Sequence, residues 1–254
     1  MGNLNNTVSW ITGATGSIGS AISTLLAKSG SNVVVTDVDF DRAKNLSIQL
    51  NDLGFGVLPL QLDVSDKKAV ESVGKVIKEK FGRLDILVNG AGISPKGENG
   101  RVPVEDINVE EWLRVININL HGAFYCSQIA ARLMKENNSG HIVNIASQAG
   151  RSYSAITGAH YAVSKAGLIS LTRQMAGELG PSGIYVNAVA PGRIETPMIK
   201  DVPKEVNQQI VNNIPLRRLG TPEEVANTVE FLVTPQSSYL TGVVIDINGG
   251  RLMI

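Results

Sequence analysis

Tyr161-Ala162-Val163-Ser164-Lys165 sets a phenol and an ammonium four residues apart, on one face of any helix that carries them. A phenol with a pKa of ~10 is a poor base at neutral pH. A neighbouring cation stabilises the phenolate and moves the group toward the range that general acid–base catalysis uses. Ser147 ends the apolar run His141–Ala146, a short distance upstream of the pair. Taken alone, Tyr-x-x-x-Lys also arises by chance, as a surface lysine beside a packed tyrosine. Its meaning depends on what the rest of the chain builds around it.

A second group of residues is suited to phosphate. Thr12-Gly13-Ala14-Thr15-Gly16-Ser17-Ile18-Gly19 closes one apolar run and opens a helical pattern. Glycines at such a junction let the backbone approach a pyrophosphate, and the first N–H groups of the helix favour its charge. Asp37 ends the next apolar run, where a carboxylate can accept both hydroxyls of an adenosine ribose and repel a 2′-phosphate. No Arg or Lys lies between Thr12 and Ile22, or between Val33 and Asp41, to receive such a phosphate. The pattern therefore predicts NAD rather than NADP. Asp39 and Asp41 follow closely, so the plainer alternative for Asp37 is a solvated loop acid.

The elements that must hold these residues alternate along the chain. Short Val- and Ile-rich runs at Val8–Thr12, Asn32–Thr36, Val57–Leu62, Ile86–Asn89, His141–Ile145, Ile184–Val189 and Val243–Ile247 predict strands buried on both faces. Ile18–Lys28, Lys67–Phe81, Glu110–Glu136, Ala159–Leu179, Lys204–Asn212 and Glu223–Leu232 carry helical spacing, with Ser65 and Asp66 as candidate N-caps. Strand–helix alternation predicts one α/β domain over 1–254, a Rossmann-type doubly wound parallel sheet of about seven strands with helices on both faces. The 254 residues are 43% hydrophobic and 18% charged, with 23 basic against 23 acidic side chains. That balance excludes disorder and gives no global grip on nucleic acid or acidic lipid. Cys126 is the single cysteine, no apolar stretch approaches a membrane span, and a cytoplasmic protein is expected. The outlier is glycine: 26 residues, about a tenth of the chain against a usual ~7%.

These motifs, in this order, make the sequence similar to the short-chain dehydrogenase/reductase family, in the compact branch that includes 3-oxoacyl-carrier-protein reductases and sugar, polyol and steroid dehydrogenases. The likeness runs nearly end to end. It implies cofactor contacts from Gly13, Thr15, Gly16, Ser17, Ile18 and Gly19, from Asp37, from Asp63 and Val64 at adenine, and from Asn89, Ala91 and Gly92. It also implies that Pro191, Gly192, Ile194 and Thr196 lie at the nicotinamide, with Thr196 at the carboxamide. By resemblance Ser147, Tyr161 and Lys165 are the catalytic serine, tyrosine and lysine, and Asn119 holds a water in the proton relay. Tyr161 and Lys165 then serve both substrate and cofactor. Asp246-Ile247-Asn248-Gly249-Gly250 resembles the family's last strand and turn. A homotetramer is implied too, with Glu110–Glu136 and Ala159–Leu179 at an interface.

Three departures stand out. Ser17 occupies the place of the usual middle glycine, where its hydroxyl either meets a phosphate oxygen or faces solvent. Gly16 still permits close backbone approach, so binding is expected to persist. Gly90 replaces the second residue of an Asn-Asn pair, and the Ser147–Tyr161 spacing is one residue longer than is commonest in the family. The segment after Ser147 is polar, and Gln148, Arg151, Tyr153 and Arg193, with Lys96 or Arg101, suggest a hydroxylated or anionic substrate. An outward-pointing Arg151 is the competing reading. Residues 192–218 are expected to form a lid, and the tail after Gly250 to pack against another subunit. His160 reads as a neighbour of Tyr161, and no ligand-spaced histidines point to a catalytic metal. The expected activity is NAD(H)-linked interconversion of a secondary alcohol and a ketone, on a sugar, polyol or hydroxy acid. The alternatives are a 3-oxoacyl-thioester reductase and, from another class, a non-catalytic dinucleotide sensor.

Overall fold

The computed structural model describes residues 4–97, 101–196 and 204–253. The strands are β1 (Val8–Thr12), β2 (Asn32–Asp37), β3 (Val57–Gln61), β4 (Ile86–Asn89), β5 (Gly140–Ile145), β6 (Ile184–Pro191) and β7 (Val244–Ile247). They form one parallel sheet in the order β3-β2-β1-β4-β5-β6-β7. Period-two alternation sends neighbouring side chains to opposite faces. Ile11, Val33, Val35 and Val143 enter one apolar cluster, while Trp10, Val34 and Ile142 enter the other. The first cluster is covered by α1 (Ser17–Lys28) and α8 (Pro222–Leu232) through Ile22, Leu26, Val225 and Val229. The second is covered by α3 (Lys67–Phe81), α5 (Gly122–Lys135) and α6 (Ala159–Leu179) through Val70, Ile77, Met134 and Met175. Burial on both faces accounts for near-continuous apolar strands.

Two helical expectations change. α2 (Phe40–Asn51) is absent from the sequence reading because it buries only Ala43, Ser47 and Leu50, too few large apolar residues to show a period. Its start is nonetheless marked, since the Asp39 side chain accepts the Arg42 N–H. The stretch expected as one helix over Glu110–Glu136 is α4 (Val109–Ile116), a π-helical turn at Asn117–His121, and then α5. The wider turn carries Asn119, which is buried. π-turns inside helices recur at functional sites because they re-aim side chains. At α3, Asp66 rather than Ser65 is the cap, accepting from Lys68 and Ala69 N–H. α7 (Lys204–Asn212) matches its expected span. Among the described residues no helix is long and apolar enough to cross a membrane.

β1 pairs with β2 on one side and β4 on the other, so the strand order reverses beside it. In open α/β sheets ligands bind outside the carboxyl ends of the strands at such a reversal. Gly13, Gly90, Ser147 and Gly192 all follow carboxyl ends of strands gathered there.

Candidate active site

A groove of about 390 Å³ runs along these strand ends, lined by Gly13, Gly16, Ser17, Ile18 and Gly19 at one end and by Ser147, Tyr161, Lys165 and Thr196 among others. The three glycines of the first turn answer to different demands. A Cβ on Gly13, whose φ is +62°, would lie 2.7 Å from the Ala91 Cα, and one on Gly19 would lie 2.2 Å from the Gly13 carbonyl oxygen. Those two are required by the protein's own packing. A Cβ on Gly16 would meet only ordinary contact, 3.5 Å from the Gly13 oxygen. Gly16 is the N-cap of α1 and makes no side-chain cap, so the first N–H groups of α1 are left for a ligand. Among the described residues nothing demands glycine there, and the bare backbone leaves room for close approach by a ligand.

Asp37 sits beside this turn. Its Oδ2 accepts from the Thr15 N–H (3.1 Å) and the Thr15 hydroxyl (2.7 Å). Arg42 also lines the groove, and its Nη2 donates to the Thr15 carbonyl (2.9 Å). Sequence reasoning missed Arg42 because it lies one residue beyond the stretch scanned for cations, in the helix that went unread. Several expected cofactor residues act within the framework. Asn89 is buried and donates to Ser127 Oγ and Asn144 Oδ1, tying β4 to α5 and β5. The Asp63 carboxylate accepts from Ser65, and Val64 packs where a Cβ on Gly122 would fall. Ala91 donates its N–H to Thr12 Oγ1.

The reacting end is built by contacts among three segments. Ser147 continues β5 in extended backbone, and its Oγ accepts the Ala149 N–H, starting a short 3₁₀ turn. That turn is pressed on α6: a Cβ on Gly150 would lie 2.6 Å from the Lys165 carbonyl carbon. Lys165 is buried and donates to the Ile145 carbonyl (2.7 Å), with its Nζ 5.7 Å from the centre of the Tyr161 ring. Burial lowers the Lys165 pKa to about 8. Burial also raises the Tyr161 pKa, opposed by its hydrogen bond with Ser147. In this structure Ser147, not Lys165, supplies the opposing influence on the phenol.

Asn119 locks the loop after β4. Its Oδ1 accepts from Ile93 N–H (2.8 Å), and its Nδ2 donates to Ile93 O (2.9 Å) and Ser164 Oγ (3.0 Å). Ser164 in turn donates to the Tyr161 carbonyl (2.7 Å). Both amide hydrogens of Asn119 are thus engaged. His160 does not line either cavity of the site. Fully buried, it accepts the Tyr161 N–H at Nδ1 (2.7 Å), which leaves the Nε2 proton to meet Glu111 Oε1 (2.9 Å). The ring fastens the first turn of α6 to α4.

Next to the groove lies a cavity of about 110 Å³ that shares Ser147, Tyr161, Pro191, Gly192 and Arg193 with it. Gln148 and Tyr153 line it as well, as do Ser152, Ser154, Thr157, Lys96 and Arg251. Arg101 reaches it indirectly, donating to the Tyr153 hydroxyl (2.8 Å). Arg151 corrects both of its sequence readings. It neither lines the cavity nor points to solvent, because its guanidinium bonds Asp246 (2.5 Å) and the Val244 carbonyl (3.3 Å), pinning the turn to β7. Arg251, expected at a subunit contact, was missed, although its place directly after the Gly249-Gly250 turn was a usable signal. Of the expected lid, residues 197–203 lie outside the described residues.

The family model described as enoyl-(acyl carrier protein) reductase matches residues 13–251. The chain is 40% identical over 250 residues to the 3-oxoacyl-[acyl-carrier-protein] reductase FabG of Thermotoga maritima, covering 98% of this chain and 99% of the relative. It is 37% identical over 243 residues to the cis-4-hydroxycyclohexanecarboxylate dehydrogenase of Sinomonas cyclohexanicum, covering 96% and 95%. A crystal structure of a 3-oxoacyl-[acyl-carrier protein] reductase with bound NAD, from Brucella melitensis, superposes with a TM-score of 0.91 at 37% identity, covering 99% of this chain and 95% of that one.

Proposed function

The chain belongs to the short-chain dehydrogenase/reductase family, oxidoreductases of alcohol and ketone groups, and from that premise we propose that it interconverts a polar secondary alcohol and its ketone with NAD(H). The single observation that carries the reading is the junction of the two cavities at Ser147 and Tyr161. A reacting carbon placed there faces the groove on one side and two hydroxyl groups on the other. A bound nicotinamide supplies or accepts the hydride.

In reduction, the Ser147 and Tyr161 hydroxyls hold the carbonyl oxygen, and Tyr161 gives up its proton as the alkoxide develops. Oxidation reverses the transfer, with Tyr161 taking the alcohol proton. Lys165, buried beside the ring, holds positive charge near the phenol and the ribose side of the groove. Asn119 serves by fixing the Gly92–Ile93 loop and the Ser164 link to Tyr161, and a water carried at this turn completes proton exchange with solvent. The groove contacts come from Gly13, Gly16, Ser17, Ile18, Gly19, Gly92, Pro191, Gly192, Ile194 and Thr196, and Asp37 selects the ribose that lacks a 2′-phosphate. NAD is further supported by the bound NAD of the Brucella relative. The polar substrate is supported by Gln148, Tyr153 and Arg193 at the second cavity. The reading includes a single domain, a cytoplasmic location and a homotetramer whose interface takes the exposed Leu113, Phe124 and Val163 of α4, α5 and α6; sedimentation velocity tests the assembly.

Tyr161→Phe tests the chemistry. Turnover falls at least 1,000-fold, on the order expected when a proton-transferring group is lost from a coupled site, while NADH still quenches protein fluorescence with its normal affinity. Near-normal turnover by this variant removes the proposal. A second reading, a 3-oxoacyl-thioester reductase, is favoured by the Thermotoga identity; faster NADPH-linked reduction of acetoacetyl thioesters than NAD-linked alcohol oxidation selects it.

A further inference from the structure

The main chain of Tyr161 is fastened on both sides by buried side chains. Gly158 is the N-cap of α6, so Ala159, His160 and Tyr161 are its first three residues. The third N–H of a helix is one that an N-cap Ser, Thr, Asp or Asn ordinarily receives, and Gly158 has no side chain to receive it. The His160 ring fills that place: a Cβ on Gly158 would lie 2.6 Å from His160 Cε1 and 3.0 Å from Nδ1. Nδ1 accepts the Tyr161 N–H (2.7 Å), so the ring proton is on Nε2, which donates to Glu111 Oε1 (2.9 Å) on α4. The ring is fully buried, and the Glu111 side chain is 29% exposed. On the other side Ser164 donates to the Tyr161 carbonyl and accepts from Asn119, on the π turn that follows α4. A serine cap from within α6 would satisfy the same N–H. What the histidine adds is a second hydrogen bond, to a carboxylate on another element.

We propose that His160, held by Glu111, is a positioning residue for the reaction: it ties the backbone of Tyr161 to α4 and thereby sets the phenol against Ser147 at the junction of the two cavities. The inference rests on the alcohol–ketone reading above and deepens it, and it holds for either substrate class considered there. His160 lines neither cavity, so it acts only through Tyr161. The first turn of a helix is where fraying begins, and here that turn carries the proton-transferring group. Ser147 arrives on a different segment, whose 3₁₀ turn rests on α6 at Lys165, one turn beyond Tyr161. The gap between the two hydroxyls therefore depends on how firmly the start of α6 is held. A misplacement of about 1 Å at a reacting group costs on the order of 100-fold in rate.

The experiment screens the full-length enzyme for NAD-linked oxidation of gluconate, 3-hydroxybutyrate and cis-4-hydroxycyclohexanecarboxylate, and for reduction of acetoacetyl-CoA with NADH or NADPH. The compound turned over fastest then serves as the probe. In His160→Ala, kcat is expected to fall roughly 10- to 100-fold, with KM and NADH affinity within about 3-fold of the parent. Adding Gly158→Ser supplies an ordinary cap, since position 158 has φ −69° and ψ 159° and the obstructing ring is gone. The double variant is expected to regain melting temperature but not kcat, because a serine there has no hold on α4. Glu111→Ala is expected to lower kcat about 10-fold, and Glu111→Gln, which still accepts from Nε2, to recover most of it. Parent kcat in the double variant, a loss below about 3-fold in His160→Ala, or equal kcat in Glu111→Ala and Glu111→Gln overturns the positioning role. Should His160→Ala fail to fold, the Glu111 pair decides. Each of these results leaves the alcohol–ketone reading standing, whereas absence of turnover of every probe by the parent enzyme overturns that reading and the inference with it.

Discussion

Lys165 is expected to cost the folded protein stability that its removal returns. Its ammonium is buried, which moves its pKa from the ordinary 10.5 to about 8. At ~1.4 kcal/mol per pH unit, that displacement corresponds to a burial penalty of about 3 kcal/mol for the charged form. The sign follows from proton counts. Below pH 8 both folded and unfolded chains carry the proton and the full penalty is present. Between about pH 8 and 10.5 the unfolded chain binds the proton more fully than the folded one, so this group's contribution makes stability rise with pH. Lys165→Met keeps the stem apolar and removes the charge, but leaves the Ile145 carbonyl without its donor, a loss of about 1–3 kcal/mol. The net expectation for ligand-free protein at pH 7 is a variant between unchanged and about 2 kcal/mol more stable. Turnover of the same variant falls by orders of magnitude. Urea unfolding of both proteins from pH 7 to 10 reads the first quantity, and NADH absorbance the second. The difference in stability between them narrows as pH rises, because only the parent sheds a charge. A variant destabilised by more than about 1 kcal/mol at pH 7, or a difference that does not change with pH, refutes the account of Lys165 as a strained buried cation.

Gly19→Ala places a methyl 2.2 Å from the Gly13 carbonyl oxygen, so the first turn must open; NADH affinity by fluorescence titration is expected to fall at least 10-fold, with a stability loss of roughly 1–3 kcal/mol. Asp37→Ser removes the carboxylate that Thr15 addresses while keeping a hydroxyl. The ratio of NAD to NADP turnover is expected to drop at least 10-fold, helped by Arg42 at the same end of the groove, and an unchanged ratio rejects the ribose role of Asp37.

The parts of the molecule legible in the sequence are those whose physics is local or strongly periodic. Strands such as Val8–Thr12 are buried at every residue and mostly apolar because both faces are covered, and each lands within a residue or two of its expected ends. The Gly13–Gly19 turn and the Tyr161–Lys165 pair are legible because spacing alone sets their geometry. What escaped depends on tertiary partners. α2 rests on Ala43, Ser47 and Leu50, so its pattern is faint, and Arg42 disappeared along with it. The π turn at Asn119 has no spacing signature, because the sequence on either side reads as ordinary helix. Arg151 was assigned to the pocket by proximity to Ser147, yet its partner Asp246 lies far along the chain and meets it only when β7 joins the sheet. Arg251 illustrates the converse, a tail residue returned to the reaction cavity by the same strand.

The reversal of strand order beside β1 has a consequence for assembly. The turn proposed to hold phosphate belongs to the N-terminal strands, whereas Ser147, Tyr161, Lys165 and Arg193 belong to the C-terminal ones, and the two portions meet along the β1–β4 pairing and where α1 packs beside α8. A chain that has folded either portion alone owns half a groove and no dinucleotide site. The proposed coenzyme site therefore crosses a seam, and by mass action a coenzyme bound there would add about 2.7 kcal/mol to the joined state at one hundred times its dissociation constant. On the proposed function the cofactor is a clasp, and the coenzyme pool sets how firmly the two portions of the sheet stay closed.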